Sequence, residues 1–86
     1  MTAEEFNKKY KDYLEEGHYG LDIHNEEVIN YLDKEFKKLI KIPKFSYSQI
    51  KIKYGVSRVY VEPWDKIDSA KLEKDIDNIL KSKLNV

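Results

Sequence analysis

Three cations, an amide and two phenols fall at alternating positions in one short stretch of this chain: Tyr47, Gln49, Lys51 and Lys53, then Arg58 and Tyr60. Side chains two apart on a strand share a face, so the spacing gathers all six on one side of a hairpin. Arg offers a bidentate fork to phosphate or carboxylate and Lys a point charge, Gln hydrogen-bonds in either sense, and Tyr supplies a stacking surface. That set suits nucleic acid or a nucleotide. The same face also reads as a solvated ribbon surface on which Lys discourages edge pairing, and exposed Tyr beside Lys and Arg equally describes a protein-binding hot spot.

Other residue types capable of chemistry do not assemble. His18 and His24 lie six apart near Asp22, Glu26 and Glu27, which is no recognised metal spacing, so loop and helix-entry roles are expected and no metal. The acid pairs Glu4-Glu5, Glu15-Glu16 and Glu26-Glu27 are adjacent, so on a helix they diverge and give no paired carboxylates. No Gly-rich phosphate loop, nucleophile elbow or catalytic Cys with a His occurs; a non-enzymatic protein without a cofactor is expected.

Charge is distributed unevenly along the 86 residues. Residues 1 to 35 carry ten acids and four bases, 36 to 61 no acid and seven bases, and 62 to 86 six acids and five bases, so a chain of zero net charge is built as −6, +7, −1. The basic middle segment points to an anionic partner, although the acidic first helix could pack near the basic ribbon and complement it within the molecule. The length allows one small domain, residues 1 to 86, and 41% hydrophobic with 37% charged residues suits an ordered α+β chain. With no cysteine there is no disulfide framework, and no run reaches membrane-spanning length; a cytoplasmic protein that does not engage a membrane is expected.

The elements that would position the hairpin follow from periodicity. Thr2 and Glu5 have capping-box spacing ahead of Phe6, Tyr10, Tyr13 and Leu14, predicting a helix over 3 to 16 closed by Gly17. A loop to about Asn25 is followed by a second helix bearing Val28, Ile29, Leu32, Phe36, Leu39 and Ile40 on one face, with Lys37, Lys38 and Lys41 complementing its dipole. Pro43 stops it. From Ser46 the period becomes 2, and two strands meet at Gly55, placed first in a type II′ turn; that register pairs Ile52 with Val59, Ile50 with Val61 and Lys53 with Arg58. After Pro63 and Trp64, Asp68 opens a last helix with Leu72, Ile76, Ile79, Leu80 and Leu84 as its stripe, Ile67 and Leu72 forming a staple and the final residues fraying. The expected architecture is α-α-β-β-α, one two-stranded antiparallel hairpin packed on three helices.

The run Gln49-Ile50-Lys51-Ile52-Lys53-Tyr54-Gly55-Val56-Ser57-Arg58-Val59-Tyr60 resembles a motif, Q-I-K-x-K-F/Y-G-x-x-R-x-Y, of a group of small uncharacterised bacterial and phage proteins. There too it lies between helices. Those proteins often have Glu between the two lysines and Gly-Leu before the Arg, where this chain has Ile52 and Val56-Ser57, and many continue into a Cys-bearing tail absent here. The resemblance implies a bacterial or phage setting and a fold built around the hairpin; it brings no function. Two functions are therefore carried forward: a non-enzymatic module binding nucleic acid or a nucleotide through Tyr47, Gln49, Lys51, Lys53, Arg58 and Tyr60, and a small protein-interaction factor, such as a phage-encoded inhibitor docking on a host protein.

Overall fold

A computed structural model describes residues 1–84 in the order α1 (Ala3–Lys9), a 3-10 turn (Lys11–Tyr13), β1 (Gly20–Asp22), α2 (Glu26–Leu39), β2 (Ser46–Lys53), β3 (Val56–Glu62) and α3 (Ser69–Leu84). The expected fraying of the last residues and the place of the Leu84 side chain in the stripe lie outside the described residues. The class is α+β with three helices, but the sheet has three strands in the order β1-β2-β3, where two were expected.

The capping box forms as its spacing requires. Glu5 N–H donates to Thr2 Oγ1 at 3.1 Å and Thr2 N–H to Glu5 Oε1 at 3.0 Å. The helix stops at Lys9, however, well short of residue 16. Tyr10 buries its ring and donates its hydroxyl to the Asp33 carbonyl of α2 at 3.1 Å, after which the chain turns so that Leu14 bridges Tyr47 and Glu15 N–H donates to Tyr47 O at 2.9 Å. Gly17, at φ +81°, turns the chain there and caps no helix.

The stretch assigned to a loop contains β1, which lies parallel to β2 with Leu21 opposite Ile50. Leu21 and Ile23 point inward and Asp22 and His24 outward. α2 begins where expected, Asn25 Oδ1 accepting the Val28 N–H at 3.1 Å, and buries Val28, Ile29, Leu32 and Phe36. Phe36 sits amid Phe6, Tyr10, Phe45 and Tyr47, with ring centroids 4.8–5.2 Å apart in edge-on arrangements. Asp68 Oδ1 accepts the Lys71 N–H at 3.0 Å at the start of α3, with Ile67 and Leu72 both buried as the staple requires.

The hairpin register differs from expectation by two residues. Tyr54 (φ 53°) and Gly55 (φ 75°) are both left-handed, the signature of a type I′ turn, so Gly55 takes its second central position. Ile50 consequently faces Val59, Lys51 faces Arg58 and Ile52 faces Ser57. A two-residue shift preserves the faces, so Ile50, Val59 and Val61 stay inward. It also carries the tip beyond the helices, leaving Ile52 41% exposed. A bulge between Tyr47 and Gln49 then reverses the alternation of β2, so that Tyr47 and Ile50, three apart, are both buried.

Both outer edges of the sheet are closed by side chains. On β1, Leu21 N–H donates to Asn7 Oδ1 at 2.8 Å and Asn7 Nδ2 donates to Leu21 O at 3.0 Å. On β3, Val59 N–H donates to Glu73 Oε2 at 2.9 Å and Ser57 N–H to Asp77 Oδ1 at 3.1 Å. Glu73 and Asp77 are one helical turn apart on α3, which matches them to amides two residues apart on a strand. Ser57 is fully buried, and its hydroxyl bonds Glu73 O and Asp77 Oδ1 at 2.7 and 2.9 Å.

Candidate functional site

The helices leave one face of the sheet open, with Val56, Arg58, Tyr60 and Glu62 exposed along β3. Strand pairing arranges this face in rows. Nearest the tip, Lys53 stands opposite Val56; next come Asp22, Lys51 and Arg58 from the three strands; then Gly20, Gln49 and Tyr60. Five of the six expected residues, Gln49, Lys51, Lys53, Arg58 and Tyr60, therefore share this face.

Tyr47 does not. It is 0% exposed, with its ring 5.0 Å from Phe36 and 6.1 Å from Phe6, because the bulge turns it inward. Its hydroxyl lies 3.3 Å from Asn7 Oδ1, and burial pushes its pKa up to about 12. It supports the face from beneath.

The like-charged cross-strand pair is also different from the expected one. Lys51, not Lys53, stands opposite Arg58, while Lys53 stretches along the turn with Nζ 5.6 Å from the Tyr54 ring centre. Among the described residues no carboxylate forms an ion pair with Lys51, Lys53 or Arg58. Asp22 lies beside Lys51 in the row, with its Oδ1 3.6 Å from His24 Nε2. Asp22 comes from β1 and not from the acidic first helix, none of whose carboxylates forms an ion pair with these cations among the described residues. Lys37, by contrast, reaches Asp33 at 3.7 Å.

Sequence reasoning missed five contributors to this face. Tyr54 is 93% exposed at the tip, and Val56 lies beside it. Asp22 and Gly20 arrive through β1, whose three residues are too few for a periodic signal. Glu73 reaches the rim from α3 while holding the Val59 amide. Only Tyr54, next to Gly55 in a turn, carried a local cue.

Among the described residues no three His, Asp or Glu side chains converge as metal ligands would, and no helix is long and apolar enough to cross a membrane. His18 faces Glu15 at 3.9 Å. No family model, no curated protein and no solved structure matches this chain.

Proposed function

We propose that the protein is a non-enzymatic binding module whose open sheet face takes a phosphate-bearing partner, nucleic acid or a nucleotide. The observation that carries this is the placement of Lys51 directly opposite Arg58, with Lys53 two residues along the same strand face and no ion-paired carboxylate on any of the three among the described residues. Like charges in direct register oppose folding by a few tenths of a kcal/mol to about 1 kcal/mol. A phosphate between them removes that repulsion. Gln49, in the next row, supplies polar recognition and the half-exposed Tyr60 an aromatic surface. The proposal keeps the protein in the cytoplasm and in the bacterial or phage setting that its hairpin motif implies.

Fluorescence anisotropy with a labelled oligonucleotide tests it. With three phosphates contacted, log affinity falls with log salt at a slope of about −2 for a single strand. Lys51→Glu with Lys53→Glu abolishes binding at low salt. Affinity unchanged by that double substitution would sink the proposal.

A second reading, a protein-interaction factor docking on a host protein, is favoured by the tip itself, where Ile52, Tyr54 and Val56 are all exposed. It predicts association with one protein that persists at high salt and after nuclease treatment.

A further inference from the structure

Two depressions lie side by side on the open face, Arg58 lining the one toward β3 and Lys51, opposite it, the one toward β1. One, of about 470 Å³, is lined by Lys53, Tyr54, Val56, Arg58, Tyr60 and Glu73. The other, of about 210 Å³, is lined by Tyr19, Gly20, Asp22, Gln49 and Lys51. Each contains exposed phenol surface and one carboxylate, with two cations, Lys53 and Arg58, in the first and one, Lys51, in the second.

That composition sorts the parts of a nucleotide. Glu73 and Asp22 repel a phosphate from the depressions themselves, yet a carboxylate there accepts hydrogen bonds from the amino groups on a base edge. Lys51 and Arg58, which face each other from the two depressions, attract the phosphate. Tyr54, 93% exposed, and Tyr60, 49% exposed, line the same depression from the turn and from mid-strand, so a planar group entering it meets two π surfaces. Neighbouring strands are about 4.8 Å apart, which makes the three-stranded face about 10 Å wide and suits one chain of nucleotides.

Resting on the phosphate-binding reading above, we infer that the partner is single-stranded nucleic acid, held with an unpaired base against Tyr54 and Tyr60 and its backbone phosphates over Lys51, Arg58 and Lys53. A duplex satisfies the cations but stacks its bases on one another, showing only their edges in the grooves, so it leaves both tyrosines unused. A free mononucleotide fills one depression and leaves the other empty.

The test compares the intact protein's affinity, by anisotropy at low salt, for a labelled mixed-sequence single-stranded oligonucleotide and for the same oligonucleotide annealed to its complement, with ATP as competitor. The single strand binds at least about 10-fold more tightly than the duplex, and ATP competes weakly. Tyr54→Ala and Tyr60→Ala each weaken single-strand binding about 5- to 150-fold, the range of one lost base–aromatic stack, without altering the salt slope, while Tyr60→Phe retains affinity. Both rings are exposed, and circular dichroism verifies that the variants fold. Equal binding of duplex, equally strong competition by ATP, or indifference to both tyrosine substitutions overturns the inference; if Lys51→Glu with Lys53→Glu still abolishes binding in those cases, the phosphate-binding reading stands. Failure of the wild type to bind any of the three overturns both.

Discussion

Asn7 treats Leu21 as an adjacent strand would: its carboxamide accepts the Leu21 N–H at 2.8 Å and donates to the Leu21 carbonyl at 3.0 Å. One side chain of α1 thus closes the free edge of β1 and fixes the strand that delivers Gly20 and Asp22 to the open face. Removing the amide leaves a buried amide proton without a partner, which costs about 1–3 kcal/mol. Asn7→Ala should lower the urea unfolding free energy by about that amount. Asn30→Ala, on the exposed side of α2, is the matched control and should be neutral or slightly stabilising.

Gly20 makes that contact possible. It has φ +75°, and a Cβ built on it would stand 2.4 Å from Asn7 Oδ1. Gly17 has nearly the same backbone, φ +81°, but nothing within 4 Å of such an atom. Alanine at a left-handed position carries a penalty of about 1–2 kcal/mol on backbone grounds alone. Gly17→Ala should show only this penalty in chemical denaturation, whereas Gly20→Ala should lose more and be insensitive to a further Asn7→Ala. Equal losses at the two glycines would mean that the Asn7 contact contributes nothing.

These two residues also show where local pattern stops being informative. Helix α2 and the hairpin were legible because their apolar residues repeat over several turns or several pleats, and the capping box at Thr2 and Glu5 depends only on a three-residue spacing. β1 was not. Leu21, Asp22, Ile23 and His24 do alternate inward and outward, but three residues of strand are indistinguishable from loop until Asn7 on one side and Ile50 on the other are seen to pair with them. The hairpin register failed for a related reason: Gly55 suits either central position of the turn, and the choice was made by Tyr54 accepting φ 53° and by Ser57, rather than an apolar residue, filling the inward place against Glu73 and Asp77. Because the error was two residues, Gln49, Lys51, Lys53, Arg58 and Tyr60 kept their face. Tyr47 lost its place because the bulge beyond Gln49 has no local signature.

The opposite edge is protected by charge as well as by hydrogen bonding. Glu73 and Asp77 accept the outward amides of Val59 and Ser57, and a negatively charged edge resists pairing with a strand from another chain. Glu73→Ala with Asp77→Ala should therefore do two things at once: destabilise the fold by about 2–6 kcal/mol, from two buried amides without partners, and promote self-association. Sedimentation velocity at rising concentration checks the second effect. Glu73→Gln with Asp77→Asn keeps the acceptors, so it should recover most of the stability; any remaining self-association would isolate the contribution of charge.

Three of the seven tyrosines hold their protons more tightly than free tyrosine, whose pKa is 10.0. Burial is the first cause in each case; for Tyr10 the hydroxyl also donates to Asp33, and for Tyr31 to Asp75 at 2.6 Å, so ionisation would set two negative groups against each other. The folded state thus has the higher pKa at all three sites. Their stabilising effect is complete below pH 10, and it is lost as pH rises from 10.0 through the folded-state values, because the unfolded chain releases its protons first. Alkaline unfolding should begin above pH 10, and in an ultraviolet titration three phenols should ionise only together with the loss of far-ultraviolet circular dichroism. Tyr10→Phe gives up the Asp33 hydrogen bond and lowers stability at neutral pH, yet it removes one of the late-ionising groups, so its unfolding free energy should fall less steeply with pH than that of the wild type. Parallel pH profiles for the two proteins would show that Tyr10 ionises without unfolding the chain, and would remove the clamp between α1 and α2 as the origin of alkaline lability.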